Sequence, residues 1–104
     1  MSTELDIIGI TYVFDYGDYS FDITIKSEDI LHWELSEGTI EEPTSGENSY
    51  IASKIAKDII FLSWKEESGF QVFNVMNLNT GELISHASAD EIFLNPGKVT
   101  VRKK

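Results

Sequence analysis

Apolar and polar residues alternate along most of the chain with a period of two. Tyr19, Phe21, Ile23 and Ile25 interleave with Ser20, Asp22, Thr24 and Lys26. That pattern predicts a strand with one face inward and the other toward water. Just before it, Ile10, Tyr12, Phe14 and Tyr16 interleave with Thr11, Val13 and Asp15. The link Tyr16-Gly17-Asp18 predicts a tight hairpin, because Gly17 accepts a positive φ at no steric cost. From Ile30 to Glu37, Leu31, Trp33 and Leu35 share one face, with His32 and Glu34 on the other. Further strand-like runs cover Tyr50 to Lys57, Ile59 to Glu66, Phe70 to Asn77, Leu83 to Ser88 and Val99 to Arg102. Turn chemistry marks their links: Lys57-Asp58, Glu67-Ser68-Gly69, Asn79-Thr80-Gly81 and Asn95-Pro96-Gly97. Ser36 to Ser49, with Gly38, Pro43 and Gly46, predicts the longest loop. Ser88-Ala89-Asp90-Glu91 has the spacing of a capping box and predicts one short helical turn before Phe93.

About eight short strands with hairpin links and no long helix predict an all-β barrel or sandwich. The short sequential links favour an up-and-down meander. Eight strands close a barrel just wide enough for its own side chains or for one small ligand. No internal repeat or composition shift divides the chain, so residues 1–104 read as a single domain.

Composition narrows the chemistry. The 104 residues carry 8 Lys+Arg against 18 Asp+Glu, a formal net charge of −10, with Arg102 the single arginine. Nucleic acid and anionic membranes, which need clustered cations, are therefore not expected partners. With no cysteine and two histidines, a thiolate or His-rich metal site is excluded, and neither a metal nor a cofactor is expected. The acidic start Met1-Ser-Thr-Glu-Leu-Asp lacks the basic region of a secretory signal. No apolar run approaches the roughly 20 residues of a spanning helix. The expected compartment is the cytoplasm. Lys98, Arg102, Lys103 and Lys104 read as a solvated basic tail.

The alternation turns Tyr12, Phe14, Phe21, Trp33, Trp64 and either Phe70 or Phe73 inward. Converging aromatics either pack a core or wall an apolar ligand cavity. Glu66 follows Trp64 by two residues, so both point the same way. A carboxyl group at the end of the apolar row Leu62, Trp64 has its charged form disfavoured by desolvation, as in a tuned general acid or base. In the turn beside Glu67 and Ser68 it would instead be solvated. His32 and His86 alternate with inward apolar residues and so face outward. No nucleophile elbow, Walker loop, dinucleotide fingerprint or calcium loop occurs.

Three stretches carry a resemblance: Ile10 to Asp22, His32-Trp-Glu-Leu-Ser-Glu-Gly38, and Phe61-Leu-Ser-Trp-Lys-Glu-Glu-Ser-Gly-Phe-Gln-Val72. In order and spacing they resemble the phenolic acid decarboxylase and MoaF-like group of calycins, over roughly residues 9 to 88. Trp33-Glu34 and the hairpin Asn77-Leu-Asn-Thr-Gly81 lean toward the MoaF-like members. The resemblance implies a small lipocalin-like antiparallel barrel. In the decarboxylases a tyrosine pair on the first strand, an arginine after the third and a glutamate in the Ser-Trp-x-Glu strand form the site. Tyr12 matches the first tyrosine and Glu66 the glutamate. Phe14 stands at the second tyrosine, and the arginine's place falls in the acidic stretch Glu41 to Glu47. Two of the carboxylate-holding donors are thus missing, and decarboxylation of a phenolic acid is not expected.

The chain therefore reads as an eight-stranded antiparallel, up-and-down, lipocalin-like barrel. It is expected to bind a small apolar or aromatic molecule, neutral or cationic rather than anionic. Phe14, Phe21, Trp33 and Trp64 would form the walls, and Tyr12 and Glu66 would supply polar orientation. One rival is a lyase-like enzyme with Glu66 as general acid/base and Tyr12 as hydrogen-bond donor. Another is a filled barrel that serves only protein interaction. A homodimer is compatible with each.

Overall fold

The computed structural model describes residues 7–40, 44–88 and 90–102. Eight strands follow one another: β1 Thr11–Asp15, β2 Ser20–Ile25, β3 Ile30–Glu37, β4 Ser45–Ala56, β5 Ile59–Lys65, β6 Gln71–Asn77, β7 Glu82–Ser88 and β8 Ile92–Arg102. Each pairs antiparallel with the next, and β8 returns to β1 to close the barrel. Among the described residues every strand therefore has a neighbour on both sides.

The register follows the alternation. Tyr12, Phe14, Ile23, Ile25, Leu31, Trp33, Leu62, Trp64, Val72 and Met76 are buried in one core. Their polar chain neighbours face outward, where His32 lies beside Glu34 and Glu47 and Arg102 pairs with Asp22. His86 is exposed, and Phe73 belongs to the outer face with it, opposite Ser63. Four of the hairpins use the left-handed backbone, at Gly17, Asp58, Gly69 and Gly81. Gly17 takes φ 100° beneath the Tyr16 N–H to Tyr19 carbonyl bond of 2.9 Å. Asp58 takes φ 65° in the two-residue link between β4 and β5, a conformation that Asp tolerates better than most side chains.

Three local expectations are corrected. The loop expected over Ser36–Ser49 is shorter, because β4 begins at Ser45. There Trp33 pairs with Gly46, and a Cβ on Gly46 would lie 3.0 Å from the Trp33 ring. The strand is glycine-bearing because an indole covers it. Asn95-Pro96-Gly97 is no turn: it runs inside β8. The Val99 N–H donates to the Gly81 carbonyl on the β7 side, so by alternation the Pro96 nitrogen points the other way. On that side β1 has already ended, with Asp15 opposite Lys98, and no ladder bond is lost. The helical turn expected from Ser88-Ala89-Asp90-Glu91 is absent among its described residues. Ser88 ends β7 and Asp90–Glu91 form a bend, while Ala89 lies outside the described residues.

Candidate functional site

The two ends of the barrel differ. One end is plugged by Ile7, Ile25, Leu31, Met76 and Leu83, all buried. At the other, where β1, β5 and β7 finish, the interior is hollow. A cavity of about 460 Å³ opens there, walled by Phe14, Phe21, Trp33, Trp64, Phe70 and Phe93, with Val72, Ala87 and Ile40 between the rings. The four wall residues expected from the sequence are thus all present. Phe70, not Phe73, completes the aromatic set.

The rings hold one another at fixed angles. Phe21 meets Trp33 edge-on at 6.1 Å and Tyr19 at 5.6 Å, and Tyr16 meets Phe14 at 6.4 Å and 89°. Edge-to-face contacts suit the ring quadrupoles. Trp33 is fixed further by its Nε1–H, which donates to Asn48 Oδ1 at 2.9 Å.

Glu66 lines this cavity. Its backbone N–H donates to the Phe70 carbonyl at 2.7 Å, and its carbonyl accepts from Gly69 at 2.8 Å. The tight turn, with Gly69 at φ 97°, fixes the backbone at the cavity rim. The Trp64 Nε1–H donates to Glu66 Oε2 at 3.2 Å. Burial pushes the carboxyl pKa up, and the indole bond offsets part of that rise.

Tyr12 is placed elsewhere. It is 1% exposed, opposite Ile23 and Val101, and is not among the residues lining the cavity. Burial, with Tyr50 nearby as the lesser cause, pushes its pKa up to about 12. The inward residue that brings a tyrosine hydroxyl to the cavity is Tyr16.

Tyr16 belongs to a polar row that the sequence reading passed over. Across β5 to β8 the inward partners are Leu62, Asn74, Ser85 and Asn95. An apolar row lies on either side: Trp64, Val72, Ala87, Phe93 toward the mouth and Ile60, Met76, Leu83, Gly97 toward the plug. Asn74 Nδ2 donates to the Leu62 carbonyl at 3.0 Å, and Ser85 Oγ donates to Asn74 Oδ1 at 2.7 Å. The Tyr16 hydroxyl lies 2.7 Å from Ser85 Oγ. Asn95 Nδ2 donates to the Tyr19 hydroxyl at 3.1 Å. Gly97 makes room for this: a Cβ there would lie 2.8 Å from the Tyr16 ring. The available signal was the break in alternation. Asn74 between Val72 and Met76, and Ser85 between Leu83 and Ala87, are polar residues at inward positions, and buried polar groups are there for a partner.

The profile of the MoaF-like family matches residues 8–100. The chain belongs to the MoaF-like family. The barrel agrees with that membership, and so does a solved structure to which the chain is similar. This is the crystal structure of a "putative beta-lactamase" from Burkholderia vietnamiensis, with a TM-score of 0.85 and 14% identity over 97% of this chain and 100% of that one. At that identity the likeness is one of fold. No curated protein matches the chain. Within this MoaF-like barrel, among the described residues, no cluster of three or more His, Asp or Glu side chains is placed to hold a metal ion.

Proposed function

We propose that this MoaF-like protein binds one small, mostly apolar or aromatic molecule in the open end of its barrel. The observation that carries the reading is the aromatic-walled hollow of about 460 Å³, within the range of small-molecule sites. A barrel evolved only for packing has no reason to forgo that burial, since cavities in cores are destabilising. The guest is neutral or cationic. The protein carries a net charge of −10, and Glu66 at the rim adds local repulsion against an anion.

The test is a titration with N-phenyl-1-naphthylamine, a neutral probe that fluoresces in apolar surroundings. Saturable binding in the micromolar range is expected. Ala87→Trp, which places an indole in the cavity, should abolish it while far-UV circular dichroism keeps its strand signature. Absence of saturable binding to the wild type would favour a barrel that serves protein interaction alone.

The lyase-like alternative keeps one supporting observation: a half-buried carboxyl group whose pKa is raised by burial, facing a cavity, is the kind of group that serves in proton transfer. Its second member, Tyr12, lies outside the cavity lining. A hydrogen-bond donor for that chemistry would have to come from Tyr19 or Ser68, which do line it.

A further inference from the structure

The polar row has a direction, and that direction constrains the ligand. The Leu62 carbonyl can only accept. It therefore fixes the Asn74 amide with Nδ2 toward it, which leaves Oδ1 toward Ser85. Oδ1 can only accept, so the single Ser85 proton is committed to Asn74. The contact between Ser85 Oγ and the Tyr16 hydroxyl then has one arrangement: Tyr16 donates and Ser85 accepts. With its proton spent, the Tyr16 oxygen offers only lone pairs. Ser85 and Asn74 are 2% and 0% exposed, so water does not reverse the chain.

We infer that Tyr16 faces the cavity as a hydrogen-bond acceptor, and that the natural ligand carries an O–H or N–H donor on its apolar body. The inference rests on the cavity-binding reading and adds the polarity of the guest. A tyrosine hydroxyl ordinarily serves as donor or acceptor alike; here the strand pairing removes one role. Glu66, when ionised, is a second acceptor on the same cavity, so a donor-bearing guest is served from two sides. Tyr19 accepts from Asn95 and keeps its own proton, but it is half-exposed in the hairpin at the mouth. A phenol, an indole-like N–H or an amine fits this set; an ether, ketone or ester with no donor leaves the Tyr16 lone pairs unpaired in an apolar cavity, which is costly.

The experiment compares 1-naphthol with 1-methoxynaphthalene by calorimetric titration. They share the same ring body, and only the first can donate. Wild type should bind 1-naphthol about five- to tenfold more tightly, as one extra hydrogen bond gives. The preference should persist in Glu66→Gln and shrink sharply in Tyr16→Phe, which keeps the Ser85 to Asn74 bond and so keeps the fold. Ser85→Ala releases the Tyr16 proton and should raise affinity for 1-methoxynaphthalene; it tests the same point should Tyr16→Phe not fold. Equal affinities in wild type, or a preference unchanged in Tyr16→Phe, overturn the acceptor assignment and leave the cavity reading standing. Failure of both probes and of N-phenyl-1-naphthylamine to bind overturns the cavity reading and the assignment with it.

Discussion

At the plugged end of the barrel Ile25, Leu31, Met76 and Leu83 are each 0% exposed, whereas at the mouth Phe93 is 48% exposed although it too points inward. The same eight strands supply both ends. The side chains differ in kind. Flexible or branched aliphatic groups interdigitate and close the space. Rigid rings braced edge-on against one another cannot collapse into the volume between them, so the mouth stays hollow. The polar row of Asn74 and Ser85 marks the boundary between the two regimes. Stability should therefore be concentrated at one end and recognition at the other.

The largest effect should come from carving into the plug. Leu31→Ala should lower unfolding free energy by about 2–5 kcal/mol, as buried Leu truncations do. Phe93→Ala, at the mouth, should cost well under half as much. Urea denaturation followed by tryptophan fluorescence measures both, and equal losses would erase the distinction between the ends. Next is the boundary. Asn74→Leu deprives the Leu62 carbonyl of its side-chain donor and leaves Ser85 only the Tyr16 hydroxyl, and should cost roughly 1–3 kcal/mol, the penalty for a buried polar group left unpaired.

A pH effect of smaller size sharpens the comparison at the mouth. Burial raises the Glu66 carboxyl pKa in the folded protein above its unfolded value. The unfolded chain then loses this proton first as pH rises, so the Glu66 contribution is most favourable below the ordinary carboxylate range and declines as pH climbs through and just above it. Glu66→Gln should remove that decline, leaving a flatter stability profile through and just above the ordinary carboxylate range in pH-resolved thermal melts. The smallest effect belongs to the outer wall. The ion pair of Arg102 and Asp22 has side chains 57% and 22% exposed, so Arg102→Ala should cost about 1 kcal/mol or less and less still in high salt.

The barrel was legible because strand alternation is a strong signal, and Tyr19 to Ile25 and Ile30 to Glu37 display it over their whole length. Two strand segments were hidden, and both for the same reason. Ser45–Ser49 looks like loop because its inward positions, Gly46 and Asn48, have given up apolar bulk to seat the Trp33 ring and bond its nitrogen. Asn95-Pro96-Gly97 looks like a turn because Asn95 serves Tyr19 and Gly97 accommodates Tyr16. Local rules fail where side chains are arranged for the cavity and not for the strand. For the site itself, the aromatic walls and Glu66 followed from alternation. Tyr12 and Tyr16 share an inward face, and only the closed register decides which hydroxyl reaches the cavity.

The seam between β1 and β8 sets an order in time. Every other pairing joins neighbouring strands, but this one brings Thr11 against Arg102. Closing a loop of that span costs about 2 kcal/mol more than closing a ten-residue hairpin. Meander hairpins should consequently form first and the seam last, with the amide protons that bond between β1 and β8 the slowest to gain protection during refolding. Tyr16 reaches Ser85 only across this seam, over Gly97. The cavity should thus come into being late, after the folding transition state. A guest bound there should slow unfolding in proportion to its occupancy and leave the folding rate unchanged.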